Sequence, residues 1–590
     1  MNLQKEEKVE EKLLVSSEKF RKYFNPITFS FLIMIFNPKN LKIEERNYNF
    51  IKELDEILNF PILIETNSTE KDSPEQMNVI FVENSLIISI EIIEEINSLP
   101  NNINGLLNLQ VLRIKLTKFD KFPEDIFTIT SLKELYLDLP DDLEIPSGIN
   151  KLTELKIIEI YKDTMNAFPE AILGTTSLEK ISIFSLYDTG FHSIPDGISN
   201  LTNLKEIVMK IYDIDEYSNY GGYFEFILPK SFGNLKKLER IELSEYLLLT
   251  IPTEFSNLSN LKYLDLQKNR FKELNFLENV KSQKLIHLNL NNSNIMNIPF
   301  EFFINNQNIE YLNLKENNIK NIPETIKNLK ILRDLDLNNN QIEFLPNSFC
   351  YLENLEKLDL SSNKLKELPK DFGNLVNLKL LLIIENQLNS LPSSFGLLKS
   401  MEKCIISSNN LIVLPDSFIS NNNLKKLDIS RNNLKAIPNS IGNLECLEEL
   451  ILNKNKIEHL PKSLNSLRNM KKLVLNFNKV KIIPDSFNSS QALERLEIGF
   501  NLIEELPNSI KNLKNVKFIF LKQNNISKFP KALIEIESLE YLNLERNNIS
   551  DIPEEISRFK NLKKLFLGDN PILESSVKFI SDLKFEISFN

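Results

Sequence analysis

Asparagine recurs at 317, 340, 363, 386, 409, 432, 455, 478, 501, 524, 547 and 570, every step 23 residues, and a proline follows each of the first eleven by six. A chain with a fixed internal period folds as a stack of like units, each touching only its neighbours. Its 590 residues therefore do not read as the roughly four globular domains that length alone would suggest. One unit reads LEKLDLSSNKLKELPKDFGNLVN, residues 355–377. Leu358 and Leu360 alternate with period two, so they predict a short strand with one buried face and one solvated face. Like strands side by side form a parallel sheet with a spacing of about 4.8 Å, and the returns between them are right-handed. The Asn falls where the chain leaves the strand, where a buried amide can both donate to and accept from the backbone of adjacent turns. The proline suits the start of a helical or 3-10 turn on the far side. Three residues on comes a second apolar column: Phe349, Phe372, Phe395, Phe418, Ile441, Leu464, Phe487 and Ile510. That column is core.

The same line continues upstream through Pro100, Pro123, Pro146 and Pro169, which predicts about 20 or 21 repeats from near residue 86. Before about residue 261 the Asn position holds other residues (Thr117, Pro140, Asp163), so a less regular stack is expected there. The pattern L-x-x-L-x-L-x-x-N-x-L resembles the leucine-rich repeat over residues 86–572. Its 23-residue form, with I/L-P-x-x-[IF]-x-x-L, resembles the intracellular class of Ras-associated and Ras-suppressor-like scaffold proteins. The resemblance implies an α/β fold: a right-handed solenoid or horseshoe with a concave parallel β-sheet and convex short helices or 3-10 turns. It also implies a protein partner, a small GTPase or its effector, and a role in signalling assembly. Two other roles compete: a surface-exposed adhesion repeat, and the recognition subunit of an enzyme complex.

Residues 1–85 do not follow the repeat and are expected to be an N-terminal α+β cap or small domain. Strands are expected at 27–36, 61–65 and 78–83, with an amphipathic helix at 45–59 carrying Tyr48, Ile51, Leu54 and Leu58. Residues 573–590 are expected to cap the other end, with Ile572, Val577, Ile580 and Leu583 as a helical apolar stripe. An insertion at 213–226 carries Tyr217, Tyr220, Tyr223 and Phe224, aromatic side chains of the kind that anchor interfaces.

Little supports catalysis. The three cysteines (Cys350, Cys404, Cys446) and three histidines are scattered, no Walker loop is present, and no cofactor or metal is expected. A net charge of −11 argues against nucleic acid. The most apolar run, residues 27–36, is too short for the ~20 residues of a membrane span. The charged N-terminus leads us to expect a cytoplasmic monomer.

The outward strand residues line the predicted concave face. Between the two strand leucines the column runs Asp336, Asp359, Leu382, Ile405, Asp428, Ile451, Val474, Glu497, Phe520, Asn543, Phe566. Two positions earlier stand Lys472, Arg495 and Phe518, and Phe477 and Phe500 precede the Asn in adjacent repeats. Exposed apolar residues rimmed by charge mark an interface. The expected partner-binding set is therefore Leu382, Ile405, Ile451, Lys472, Val474, Phe477, Arg495, Phe500, Phe518, Phe520 and Phe566.

Overall fold

A computed structural model describes residues 45–58, 62–65, 78–83, 86–188, 192–213, 225–272, 276–419, 423–485, 491–577 and 583–589. The strand expected at 27–36 lies outside them. The chain divides into two compact units, Met1–Lys284 and Leu285–Asn590.

In the first unit a helix spans Glu45–Ile57. Its buried residues are Phe50 and Leu54, with Leu58 just beyond its end, while Ile51 is only half-buried. The buried stripe thus includes Phe50, which the expected set omitted. Strand Ile62–Glu65 pairs parallel with Asn78–Glu83, which turns back antiparallel onto Leu86–Glu95, the first repeat strand. Parallel pairing then continues strand by strand through Val111–Lys115 to Tyr263–Asp265. Several of these strands are long, up to nine residues in Ile157–Met165. In Glu206–Asp213 the buried alternation Ile207, Met209, Ile211 runs on past the length of the later three-residue strands.

The insertion is shorter than its sequence bounds suggested. Strand Glu206–Asp213 includes Asp213, and Phe226 is core, 2% exposed and 4.8 Å from the Tyr246 ring. Tyr217, Tyr220, Tyr223 and Phe224 lie outside the described residues.

In the second unit, repeat strands run from His287–Asn289 to Lys564–Phe566, three residues each and parallel in register. The leucine column is sealed: Leu358, Leu381 and Leu427 are at most 1% exposed. On the far side a proline commonly stands just before a 3-10 turn, while Pro299 precedes the short α-helix Phe302–Asn305. Pro346 holds φ −66° and ψ 152°, and its carbonyl accepts from Phe349 N at 3.0 Å. The fixed φ of proline makes that entry cheap in entropy. The following apolar residues form a spine in which Phe372 and Phe395 stack at 6.1 Å; the Phe418 side chain and Phe487 are not among the described residues. In the tail, Val577 closes a 3-10 turn, Glu574–Val577, and Ile580 of the expected helical stripe lies outside the described residues. Beyond that stripe, Glu586–Ser588 adds a parallel strand to Lys564–Phe566, which the period-two run Phe585, Ile587, Phe589 suits.

Candidate protein-binding face

The ladder asparagines set the geometry of the sheet face. Asn432 donates from Nδ2 to the carbonyls of Ile406 (2.9 Å), Ser430 (3.1 Å) and Ile429 (3.3 Å), and its Oδ1 accepts from Leu411 N at 2.9 Å. Asn317, Asn340, Asn363, Asn386, Asn409, Asn455, Asn478, Asn501, Asn524, Asn547 and Asn570 each bridge to carbonyls of an adjacent repeat in the same way. Asn269 does so too, donating to Leu243 O and accepting from Leu248 N. Sequence phasing missed it because the step from 269 to the next such Asn, 317, is not a multiple of 23. The local L-x-L-x-x-N of residues 264–269 was the available signal.

The residue before each Asn is left-handed from Lys268 onward, and none of these residues is glycine: Arg431 has φ 53°, Lys454 56°, Phe477 59° and Phe500 55°. That conformation aims each N–H at the next repeat, as in Phe477 N to Gly499 O (3.0 Å) and Phe500 N to Lys522 O (2.7 Å). It costs an L-residue roughly 1–2 kcal/mol, and a bulky side chain there is unusual.

The column between the strand leucines divides in two. Where it is Asp or Asn, the side chain accepts the backbone N–H two residues on: Asn338 N to Asp336 Oδ1 (2.9 Å), Ser361 N to Asp359 (2.8 Å), Ser430 N to Asp428 (2.9 Å) and Glu545 N to Asn543 (3.0 Å). These polar residues close the turn. Leu382, Ile405, Ile451, Phe520 and Phe566 cannot make that bond, so turn geometry gives no reason for them, and they stand half-buried on the open face. Val474 is different. At 7% exposed, flanked in register by Ile451 and Glu497, it is buried and offers a partner almost no surface.

Phe477 and Phe500 stack at 4.0 Å with 14° between planes, and Phe477 is 44% exposed. Lys454 lies 5.6 Å from the Phe477 ring. One strand further, the Arg495 guanidinium is 4.8 Å from Phe520 and 5.5 Å from Phe518, held by Glu497 at 2.5 Å. Phe518 stacks on Tyr541 at 5.2 Å. Lys472 stands beside Arg495 in register. Leu382 and Ile405 pair with each other, separated from Ile451 by Asp428. Phe566 lies two strands past Phe520. Lys454 and Tyr541, absent from the expected set, belong to this cluster. Their columns were readable, but their neighbours across the strands were not.

Asp336 sits beside Asp334 and Asp359, and burial pushes its carboxyl up to about 6. A pKa raised in the fold favours the folded state below the ordinary value near 4, and that benefit is lost as pH rises through about 6. Asp336→Asn keeps the acceptor that Asn313 supplies to Lys315 N in the preceding repeat. The variant should therefore be more stable than wild type above pH 6 and no more stable below pH ~4; urea melts across that range check it.

Burial also pushes the Cys350 thiol up to about 11 and raises that of Cys404, leaving neither a ready nucleophile. Among the described residues no group of three His, Cys, Asp or Glu side chains could hold a metal, and no helix is long and apolar enough to cross a membrane.

The "Leucine rich repeat" family matches residues 221–271, 283–342, 323–365, 399–457 and 491–549, and "Leucine Rich repeats (2 copies)" matches 537–584. Those stretches of the chain are leucine-rich repeats. No curated protein matches its sequence. Among solved structures it is similar to a leucine-rich-repeat protein of Leptospira interrogans, at 25% identity and TM-score 0.52 over 74% of this chain and 96% of that one. It is also similar to the ectodomain of the Arabidopsis receptor kinase HAESA, solved with a peptide hormone (23% identity, TM-score 0.57, 85% and 90%). The Drosophila Toll–Spatzle complex is a third (20% identity, TM-score 0.62, 85% and 68%). The last two speak to the fold alone.

Proposed function

We propose that the chain is a non-catalytic protein-binding scaffold that seats a protein partner on the open sheet face of residues 285–590, around Phe477 and Phe500. The observation that carries this reading is the stacked aromatic pair, Phe477 exposed and Phe500 half-buried, held in a left-handed backbone conformation that disfavours it. Leu382, Ile405, Ile451, Lys472, Arg495, Phe518, Phe520 and Phe566 extend the same face, while Val474 lies beneath it. That HAESA and Toll were solved with protein ligands favours this mode of use. Free thiols at Cys350, Cys404 and Cys446 suit a reducing, cytoplasmic setting. The link to a small GTPase rests on the sequence resemblance alone.

The test is capture of partners from lysate with three baits: wild type, Phe477→Asn/Phe500→Asn, and Ile412→Asn/Val413→Asn. The last pair is exposed (52% and 60%) and lies after the ladder Asn, outside the strands. Central aromatic anchors are worth about 2 kcal/mol or more each. The Phe variant should therefore lose what wild type holds, and the Ile412/Val413 variant should keep it. Equal capture by all three would remove the face from consideration.

A further inference from the structure

The electrostatics of the same face bear on what kind of segment it holds. From strand Lys403–Ile405 to strand Arg495–Glu497, the open face and its left-handed row carry six cations: Lys403, Lys426, Arg431, Lys454, Lys472 and Arg495. They carry three carboxylates, and each is engaged: Asp428 by Ser430 N, Glu449 by Lys426 (2.7 Å), and Glu497 by Arg495 and by Asn476 (2.7 Å). Lys403, Arg431, Lys454 and Lys472 have no carboxylate partner among the described residues, and Lys403, Arg431 and Lys454 are exposed. A chain of net charge −11 thus concentrates unneutralised positive charge around Phe477 and Phe500. The column just before each strand instead carries Lys–Glu pairs across repeats, as in Lys379–Glu356, Lys471–Glu448 and Lys563–Glu540. The surplus is confined to the open-face columns.

The order of residues adds geometry. Arg431, Lys454, Phe477 and Phe500 occupy successive left-handed positions, tied by Arg431 N to Asn453 O, Lys454 N to Asn476 O and Phe477 N to Gly499 O. At about 4.8 Å per repeat, the distance from the cation pair to the aromatic pair is on the order of 10 Å, which an extended polypeptide covers in about three residues. Resting on the reading above, we propose that the partner presents an acidic extended segment. Its carboxylates lie over Arg431 and Lys454, and an apolar side chain about three residues away packs against Phe477 and Phe500. Such a match supplies both steering and anchoring. A nucleic acid would also bring negative charge, but the row holds two cations before it turns aromatic, and Asp334, Asp336 and Asp359 occupy the sheet face further toward the N-terminus. A phosphate backbone needs a longer run of cations.

A displayed random dodecapeptide library, selected in parallel on wild type, Phe477→Asn/Phe500→Asn and Arg431→Glu/Lys454→Glu, tests this. Wild type should enrich net-acidic peptides with an apolar residue near the acids. Those peptides should bind the charge-reversed variant at least tenfold more weakly, and wild type more weakly as salt rises from 50 to 200 mM. If wild type enriches nothing beyond the Phe variant, the site itself is overturned. If it enriches neutral or basic peptides that the Phe variant loses, the site stands and the acidic segment is overturned. A poly(U) oligonucleotide binding more tightly than the selected peptides would overturn it as well.

Discussion

Asn432→Ala should destabilise the second unit by about 2–4 kcal/mol and strip hydrogen-exchange protection from the repeats on either side. Asn432 is 7% exposed, and its amide is the partner of Ile406 O and Leu411 N across the repeat boundary. Removing it leaves a buried donor and a buried acceptor unsatisfied, each costing about 1–3 kcal/mol. Because each repeat rests on its neighbours, the loss should appear as local opening as well as a shift of the melt. Asn432→Asp separates the two halves of the amide. The acceptor survives, but an ionised carboxylate would then face the carbonyls of Ile406, Ile429 and Ser430. The Asp variant should be worse than Ala at neutral pH and recover in part as it is protonated. A flat response in both variants would mean that stacking of the apolar columns alone holds the repeats together.

Gly396→Ala is expected to cost about 1–3 kcal/mol or more, the range for overpacking a filled interior, although it adds one methyl group. Gly396 follows the spine residue Phe395 in the 3-10 turn Ser393–Leu397. A Cβ there would lie 1.7 Å from the Ser417 carbonyl oxygen of the next repeat. Because the obstacle is backbone, a rotamer change cannot relieve it. Gly373 meets Ser394 O at 1.8 Å in the same way, so Gly373→Ala should cost a comparable amount. Gly499→Ala is the contrast. Its nearest atoms are 3.0 and 3.3 Å away, and the substitution should be felt far less. Equilibrium urea unfolding of the three variants ranks them directly.

These glycines show how far the sequence could be read. The period placed the strands, the prolines and the apolar spine of the second unit, because each rests on local spacing. The repeat pattern pointed to turns formed at its Asn and Pro. In the structure the tight turns lie one residue before the Asn, held left-handed by Glu, Asn, Ser, Arg, Lys, Phe, Gln and Asp, and Gly233, Gly373, Gly396 and Gly442 serve close backbone approach between repeats. No composition count separates those uses. Asp359 and Leu382 occupy one column and looked like a choice between polar and apolar. Only the hydrogen bond from Ser361 N distinguishes a turn-closing residue from one free to make contacts. Alternation placed Val474 on the open face, and cross-strand neighbours buried it. The tail strand Glu586–Ser588 was not foreseen, since a three-residue strand needs Lys564–Phe566 as a template.

On the proposed reading, Phe477 and Phe500 are present for contact and not for folding. Asn tolerates the left-handed backbone better than Phe, and an aromatic pair contributes about 0.5–1.5 kcal/mol beyond area burial, so the two effects of substitution nearly cancel. The urea unfolding free energy of Phe477→Asn/Phe500→Asn, measured without any partner, tests this directly. The expected value lies within about 1 kcal/mol of wild type. A loss of about 3–5 kcal/mol, the range for removing a core phenylalanine, would place these rings in the folding core and contradict it.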